Sequence, residues 1–216
     1  MKIALLGYGK MGKEIEKIAI KKGHTIGLKV TSENAEFSPS ELLGIDVAIE
    51  FSRPEYAVSN IKKCFDANVP VVVGTTGWYE YLEEIETLCV ARNQTLLYAT
   101  NFSIGVNLFF KLNTQLAQLM NKYPEYKVEV EEIHHTQKLD APSGTGISLA
   151  EQIIENNNLK ENWVNDNSNK ENELEIISKR EDKVPGTHSV YYKSEVDEIE
   201  IKHTAHSRSG FANGAL

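Results

Sequence analysis

The sequence predicts an α/β protein in two parts, a doubly wound parallel sheet over residues 1–103 followed by a smaller α+β domain over 104–205. Three observations lead there. Wholly apolar strand runs such as VVV at 71–73 alternate with amphipathic helical patterns through the first hundred residues, as in a parallel sheet covered on both faces. From residue 126 the texture changes to segments such as YKVEVEE, in which apolar and polar residues alternate. Between the two lies a long helical pattern, NLFFKLNTQLAQLM, which links them.

Taken in order, the first strand covers 2–6 and is closed by glycines, and a helix follows over 11–22. Strands come next at 25–30, 47–51, 69–73 and 95–99, with helices over 55–67 and 81–91 between them. The linking helix falls within 101–121. Beyond YKVEVEE, a helix is expected over 143–155, and ELEIISKRE, HSVYYKS and VDEIEIKH read as antiparallel strands. Residues 155–172, rich in Asn, Lys and Glu, read as a surface loop. The strands of the second domain offer an oligomer interface.

Composition excludes several classes of function. The 216 residues hold 41% hydrophobic and 25% charged side chains, an ordinary balance for a globular protein. No apolar run approaches the roughly 20 residues of a membrane helix. Glycines cut the N-terminal apolar run before it could serve as a secretory signal, so a cytoplasmic protein is expected. A net charge of −8 and the lack of any Lys/Arg stripe argue against a nucleic-acid partner. Cys64 and Cys89 each sit inside an apolar periodic segment and read as buried thiols, not as a disulfide or metal pair.

Gly7, Gly9 and Gly12 of GYGKMG form GxGxxG directly after a strand and directly before a helix. In a Rossmann fold the first glycine makes the tight turn, the second admits a pyrophosphate to the backbone, and the third lets helix pack on strand. A dinucleotide is therefore expected. Its identity depends on the end of the second strand, LKVTSEN: Lys29, Thr31 and Ser32 suit a 2′-phosphate, whereas Glu33 suits a free ribose hydroxyl. The balance favours NADPH with NADH tolerated. Gly74, Thr75 and Thr76 follow another strand at the carboxyl edge of the sheet, where they would face the nicotinamide.

The stretch EEIHHTQKLDAPSGTG at 131–146 gathers proton carriers beside a turn that opens a helix. A hydride supplies one of the two hydrogens a reduction adds, so a reductase needs a separate proton source, and histidine donates near neutral pH. On an extended segment His134 and His135 point opposite ways, so that one could donate while the other binds. Lys138, with Ser143, Gly144 and Thr145 at a helix N-terminus, makes a natural receptor for a carboxylate. No metal is expected, because the HH pair lacks i, i+4 spacing and no nearby Cys or His completes a ligand set.

That stretch resembles the signature of the dihydrodipicolinate reductase family. GYGKMG, FSRPE at 51–55, VGTTGW at 73–78, NFSIGVNLFFKL at 101–112, PGT at 185–187 and SRSGFANGAL at 207–216 resemble the family's segments in the same order. The resemblance implies a Rossmann domain to which the last segment, 206–216, returns, and a second domain that carries substrate and homotetramer contacts. It implies reduction by NADPH or NADH of the cyclic imine derived from 4-hydroxy-tetrahydrodipicolinate, in the diaminopimelate branch of lysine biosynthesis. By motif position, His134 is its general acid, Lys138 the cationic partner, and His135, Ser143, Gly144 and Thr145 bind the carboxylates of a small dicarboxylate. The cofactor contacts it implies, taken with Lys29, are Gly7, Gly9, Lys10, Met11, Gly12, Phe51, Ser52, Gly74, Thr75, Thr76, Thr100, Asn101 and Phe102. Two departures stand out: Thr100 occupies a position where the family often has proline, and the chain ends at Leu216, ahead of the last helix that relatives usually carry.

Overall fold

Ile3, Ala4, Leu5 and Leu6 are all buried, which a strand can achieve only when helices cover both faces of its sheet. They form β1 (Lys2–Leu6) in a computed structural model that describes every residue except 139, 166, 169 and 183. There follow α1 (Lys10–Lys21), β2 (Thr25–Val30), β3 (Val47–Glu50), α2 (Pro54–Asp66), β4 (Val71–Val73), α3 (Leu82–Ala91) and β5 (Leu96–Tyr98). The strand order is β2-β1-β3-β4-β5 and every pair is parallel. Because the chain leaves β1 toward β2 on one side and takes up β3 on the other, the order reverses at the carboxyl ends of β1 and β3. Open α/β sheets bind ligands at such a point.

Each face of this sheet has its own core. On one side Ala4, Leu6, Ala48, Ile61, Val71 and Trp78 pack together. On the other, Ile3, Leu5 and Ile49 meet Ile15 and Ala19 of α1 and Ala212 and Ala215 of α6 (Ser209–Ala215). No helix was expected in that last stretch. Small residues let α6 lie directly on backbone: a Cβ on Gly214 would fall 1.7 Å from the carbonyl oxygen of Phe102. By its contacts the chain divides into two compact units, residues 1–103 with 208–216 and residues 104–207.

The second unit holds α4 (Ile104–Met120), β6 (Lys127–His134), α5 (Gly144–Asn156), β7 (Asn162–Val164), β8 (Glu173–Arg180), β9 (Gly186–Lys193) and β10 (Glu198–Ala205). Its sheet runs β10-β9-β6-β8-β7. Two sequence expectations need correction here. β8, read as antiparallel, pairs parallel with β6, and β7, inside the stretch read as loop, pairs parallel with β8. Alternation identifies a strand but says nothing of its direction; α5 supplies the crossover that a parallel return requires. The parts of these readings that fall on Leu139, Asp166 and Asn169 lie outside the described residues.

Along β6, Val128, Val130, Glu132 and His134 are the buried positions. The period that sends Val128 and Val130 into a core with Leu149, Ile153, Leu174 and Ile176 also turns Glu132 and His134 inward. Cys64 is buried and Cys89 half-buried, both as free thiols, and burial pushes the Cys64 thiol up to about 12. Among the described residues no helix is long and apolar enough to cross a membrane.

Candidate active site

In the first unit the turn after β1 is shaped by backbone contact. Gly7 adopts φ +102°, and a Cβ there would lie 2.1 Å from the Phe51 carbonyl oxygen. A Cβ on Gly12 would lie 2.3 Å from the Gly7 oxygen, so α1 starts against the turn itself. Gly9 is the N-cap of α1, and nothing stands within 4 Å of where its side chain would be. The amide groups of the first helical turn therefore face an open space suited to a phosphate.

A cavity of about 240 Å³ opens beside this turn, with Thr31 and Ser32 from the end of β2 and Phe51, Ser52 and Arg53 from the end of β3 on its walls. Among the described residues lining it, Arg53 is the one charged side chain. Lys29 is placed elsewhere. Its Nζ lies 2.6 Å from Glu16 and 4.8 Å from the centre of the Tyr8 ring, and the Tyr8 hydroxyl donates to the same carboxylate. Glu33, the rival for the ribose, is exposed outside the cavity, its N–H donating to Thr31 Oγ1.

Sequence reasoning missed the residue that organises this wall. Glu50 is fully buried at the end of β3, where its Oε1 accepts from the Ser52 amide and hydroxyl and from Asn60 Nδ2. Burial raises its carboxyl above the usual range, against the pull of those donors. The Ser52 amide also reaches Thr75 Oγ1 at 2.8 Å. Gly74 leaves room for the Phe51 ring, which packs 6.0 Å from that of Phe102. Phe51, Ser52, Gly74, Thr75 and Phe102 thus share one edge of the sheet. Met11 packs in the core under α1, the Asn101 side chain accepts from the Ser103 amide, and Lys10, Thr76 and Thr100 are exposed.

The second unit carries a separate cluster centred on Glu132, which has no exposed surface. Its oxygens accept from the Ser143 amide at 3.0 Å, from the Ser143 hydroxyl and from Ser178 Oγ at 3.0 Å. Around it stand Arg180 Nη1 at 3.7 Å, His134 Nδ1 at 3.8 Å and His188 Nε2 at 3.8 Å. Register explains the gathering: β9 places His188 directly opposite Glu132, and β8 places Arg180 opposite His134. The two imidazoles meet edge to face, 5.0 Å between centres, and Gly186 leaves space beside His134 Nε2.

Burial lowers the pKa of His134, with Lys138 and Arg180 reinforcing the shift and Glu132 opposing it. Burial pushes His188 to about 3, so it is a neutral ring at ordinary pH. Lys138 Nζ lies 2.7 and 2.8 Å from the two oxygens of Asp140. Burial would raise the Asp140 carboxyl, but Lys138 outweighs it and holds the group low. His135, the residue after the end of β6, is half-buried. Ser143 caps α5, its Oγ accepting from the Gly146 amide at 3.1 Å, and Gly144 just inside the helix faces open space.

Glu132, His134 and His188 offer ligand atoms within 4.8 Å of one another, a grouping that sequence spacing hid because His188 comes from β9. The oxygens a cation would need already accept from Ser143 and Ser178, and the Arg180 guanidinium stands beside them. That arrangement suits proton chemistry better than a metal ion.

Comparison with known proteins agrees with these features. Sequence models described as dihydrodipicolinate reductase, N-terminus, and dihydrodipicolinate reductase, C-terminus, match residues 1–102 and 105–216. The 4-hydroxy-tetrahydrodipicolinate reductase of Christiangramia forsetii is 50% identical over 218 residues, covering 100% of this chain and 90% of that protein. The dipicolinate-bound dihydrodipicolinate reductase of Paenisporosarcina sp. TG-14 superposes with a TM-score of 0.71 at 25% identity, over 99% of this chain and 91% of that one. Biliverdin reductase from Synechocystis sp. PCC 6803, solved with biliverdin and NADP+, shares the fold alone, with a TM-score of 0.56 at 11% identity over 99% and 88% of the two chains. With both terminal models matched and half of all positions identical to a relative aligned along the full chain, this protein belongs to the dihydrodipicolinate reductase family.

Proposed function

We propose that the protein reduces 4-hydroxy-tetrahydrodipicolinate, through its dehydrated cyclic imine, to tetrahydrodipicolinate, the reaction for which its 50% identical relative is named. One observation supports the reading: a buried histidine, His134, shares the Glu132 carboxylate with Ser143 at the N-terminus of α5 and has Lys138 among the charges acting on it, as a proton source beside a receptor for a dicarboxylate would. The nicotinamide nucleotide supplies the hydride when bound to the first unit. His134 gives its proton to the substrate atom that gains electron density. Lys138 exchanges Asp140 for a substrate carboxylate, and the Gly144 and Thr145 amides at the helix N-terminus hold a carboxylate in place. Ser143 is engaged with Glu132, so it shapes this turn more than it offers a free donor.

NADPH is the preferred donor in this reading, supported by a cavity that presents Thr31, Ser32 and Arg53 and no carboxylate among its described lining. The test couples the purified protein to dihydrodipicolinate synthase, pyruvate and aspartate semialdehyde and follows nicotinamide absorbance. Synthase-dependent oxidation is expected, with kcat/KM higher for NADPH than for NADH. Arg53→Ala should narrow that ratio roughly fivefold, the worth of about 1 kcal/mol for an exposed charge contact. No oxidation of either nucleotide would remove the assignment, and an unchanged ratio would remove Arg53 from the choice of cofactor.

A homotetramer assembled through the second unit completes the reading. Its support is β10, an edge strand of the sheet, which leaves Ile199 39% exposed. Sedimentation should return four times the chain mass; a monomer would sink it.

A further inference from the structure

We propose that Glu132 is the positioning residue of the proton donor, a single buried carboxylate that sustains the charged form of His134 and fixes the turn that receives the substrate. This rests on the reading of His134 as the general acid. His134 is 6% exposed, and its Nδ1 has no hydrogen-bond partner among the described residues. A ring so placed gives up its proton readily unless an anion stands near it. The charged or titratable groups facing it are Glu132 on its own strand, Lys138 and Asp140 from the segment that follows, Arg180 from β8 and His188 from β9. Lys138 and Arg180 oppose a charge on the ring, and His188 is neutral. Asp140 supports the charge but is taken up by Lys138, and in the proposed complex it gives way to substrate. Glu132 remains, with Oε1 3.8 Å from Nδ1.

The same carboxylate reaches the receptor. It accepts from both the amide and the hydroxyl of Ser143, the cap of α5, and Gly146 has no side chain to keep Oε2 off the first turn: a Cβ there would lie 2.7 Å away. Proton donor and carboxylate receptor are therefore referenced to one buried group. A shift of either would move the other.

Glu132→Gln in the full chain tests this, because it removes the charge and keeps the shape. With imidazole-labelled histidine, NMR titration should show the His134 midpoint falling by about one unit or more. The loss in kcat/KM should then grow with pH, since the variant donor sheds its proton earlier; turnover recovers in acid while nucleotide affinity stays near that of the wild type. Glu132→Asp, which retains the charge, should restore most of the wild-type midpoint. A folded Glu132→Gln with an unmoved His134 midpoint overturns the proposal. Should that variant fail to fold, the wild type still decides: the Glu132 carboxyl carbon resonance must follow the His134 titration at the same midpoint, and a flat trace overturns the idea. Neither titration needs turnover, so an inactive wild type would count against the reductase reading alone.

Discussion

His134→Gln is expected to lower kcat/KM by roughly 10²- to 10⁴-fold, the usual worth of a positioned proton donor, while leaving nucleotide affinity within about twofold of the wild type. The split follows from where the residue acts. His134 ends β6 in the second unit, whereas the GxGxxG turn and its cavity belong wholly to the first. A group that transfers its proton only as the substrate reacts contributes to the transition state and not to nucleotide binding. The wild-type pH profile should carry the same signature: burial sets the His134 pKa below the ordinary imidazole value, so activity falls as pH rises through that lowered pKa. Lys138→Ala makes the contrast. It should raise the substrate KM by roughly ten- to a hundredfold, as loss of a hydrogen bond to a charged group does, with a smaller change in kcat. Equal loss of nucleotide affinity in His134→Gln, measured by nucleotide fluorescence, would deny it the donor role.

Much of this site could be read from residue order because its parts are local. The turn after β1 needs glycine at Gly12 for a contact within one βα unit, the GxGxxG spacing marks Gly7 although its close neighbour is Phe51 beyond β3, and the HHTQK…SGT stretch brings strand end, lysine and helix cap together in one short segment. What stayed hidden came from across the sheet. His188 and Arg180 reach Glu132 through β9 and β8, and strand register is set by tertiary pairing that no local pattern reports. Glu132 itself was within reach, two positions before His134 and so on the same face of the strand, but buried carboxylates are rare enough to be passed over as surface. Glu50 is the parallel case in the first unit, the last residue of an otherwise apolar strand. The position of Lys29 at a strand end says nothing of Glu16, which pairs with it from α1.

The sharpest division of labour in the nucleotide turn should appear between two neighbouring glycines. Gly7→Ala is expected to destabilise the protein by about 3 kcal/mol or more, through a left-handed backbone that alanine tolerates poorly and a methyl placed against a carbonyl oxygen that cannot move without parting β1 from β3. For a unit of this size that is a fall in Tm of more than about 10 °C. Gly9→Ala has neither problem: φ there is −87°, and nothing stands within 4 Å of the added carbon. It should fold with a Tm close to wild type and lose nucleotide affinity by at least about tenfold, because the space the methyl enters is the approach of a pyrophosphate to the α1 amides. Calorimetry and nucleotide titration on the two variants separate the outcomes. If Gly9→Ala binds NADPH as well as the wild type does, the phosphates lie elsewhere, and the open end of α1 is a feature of packing alone.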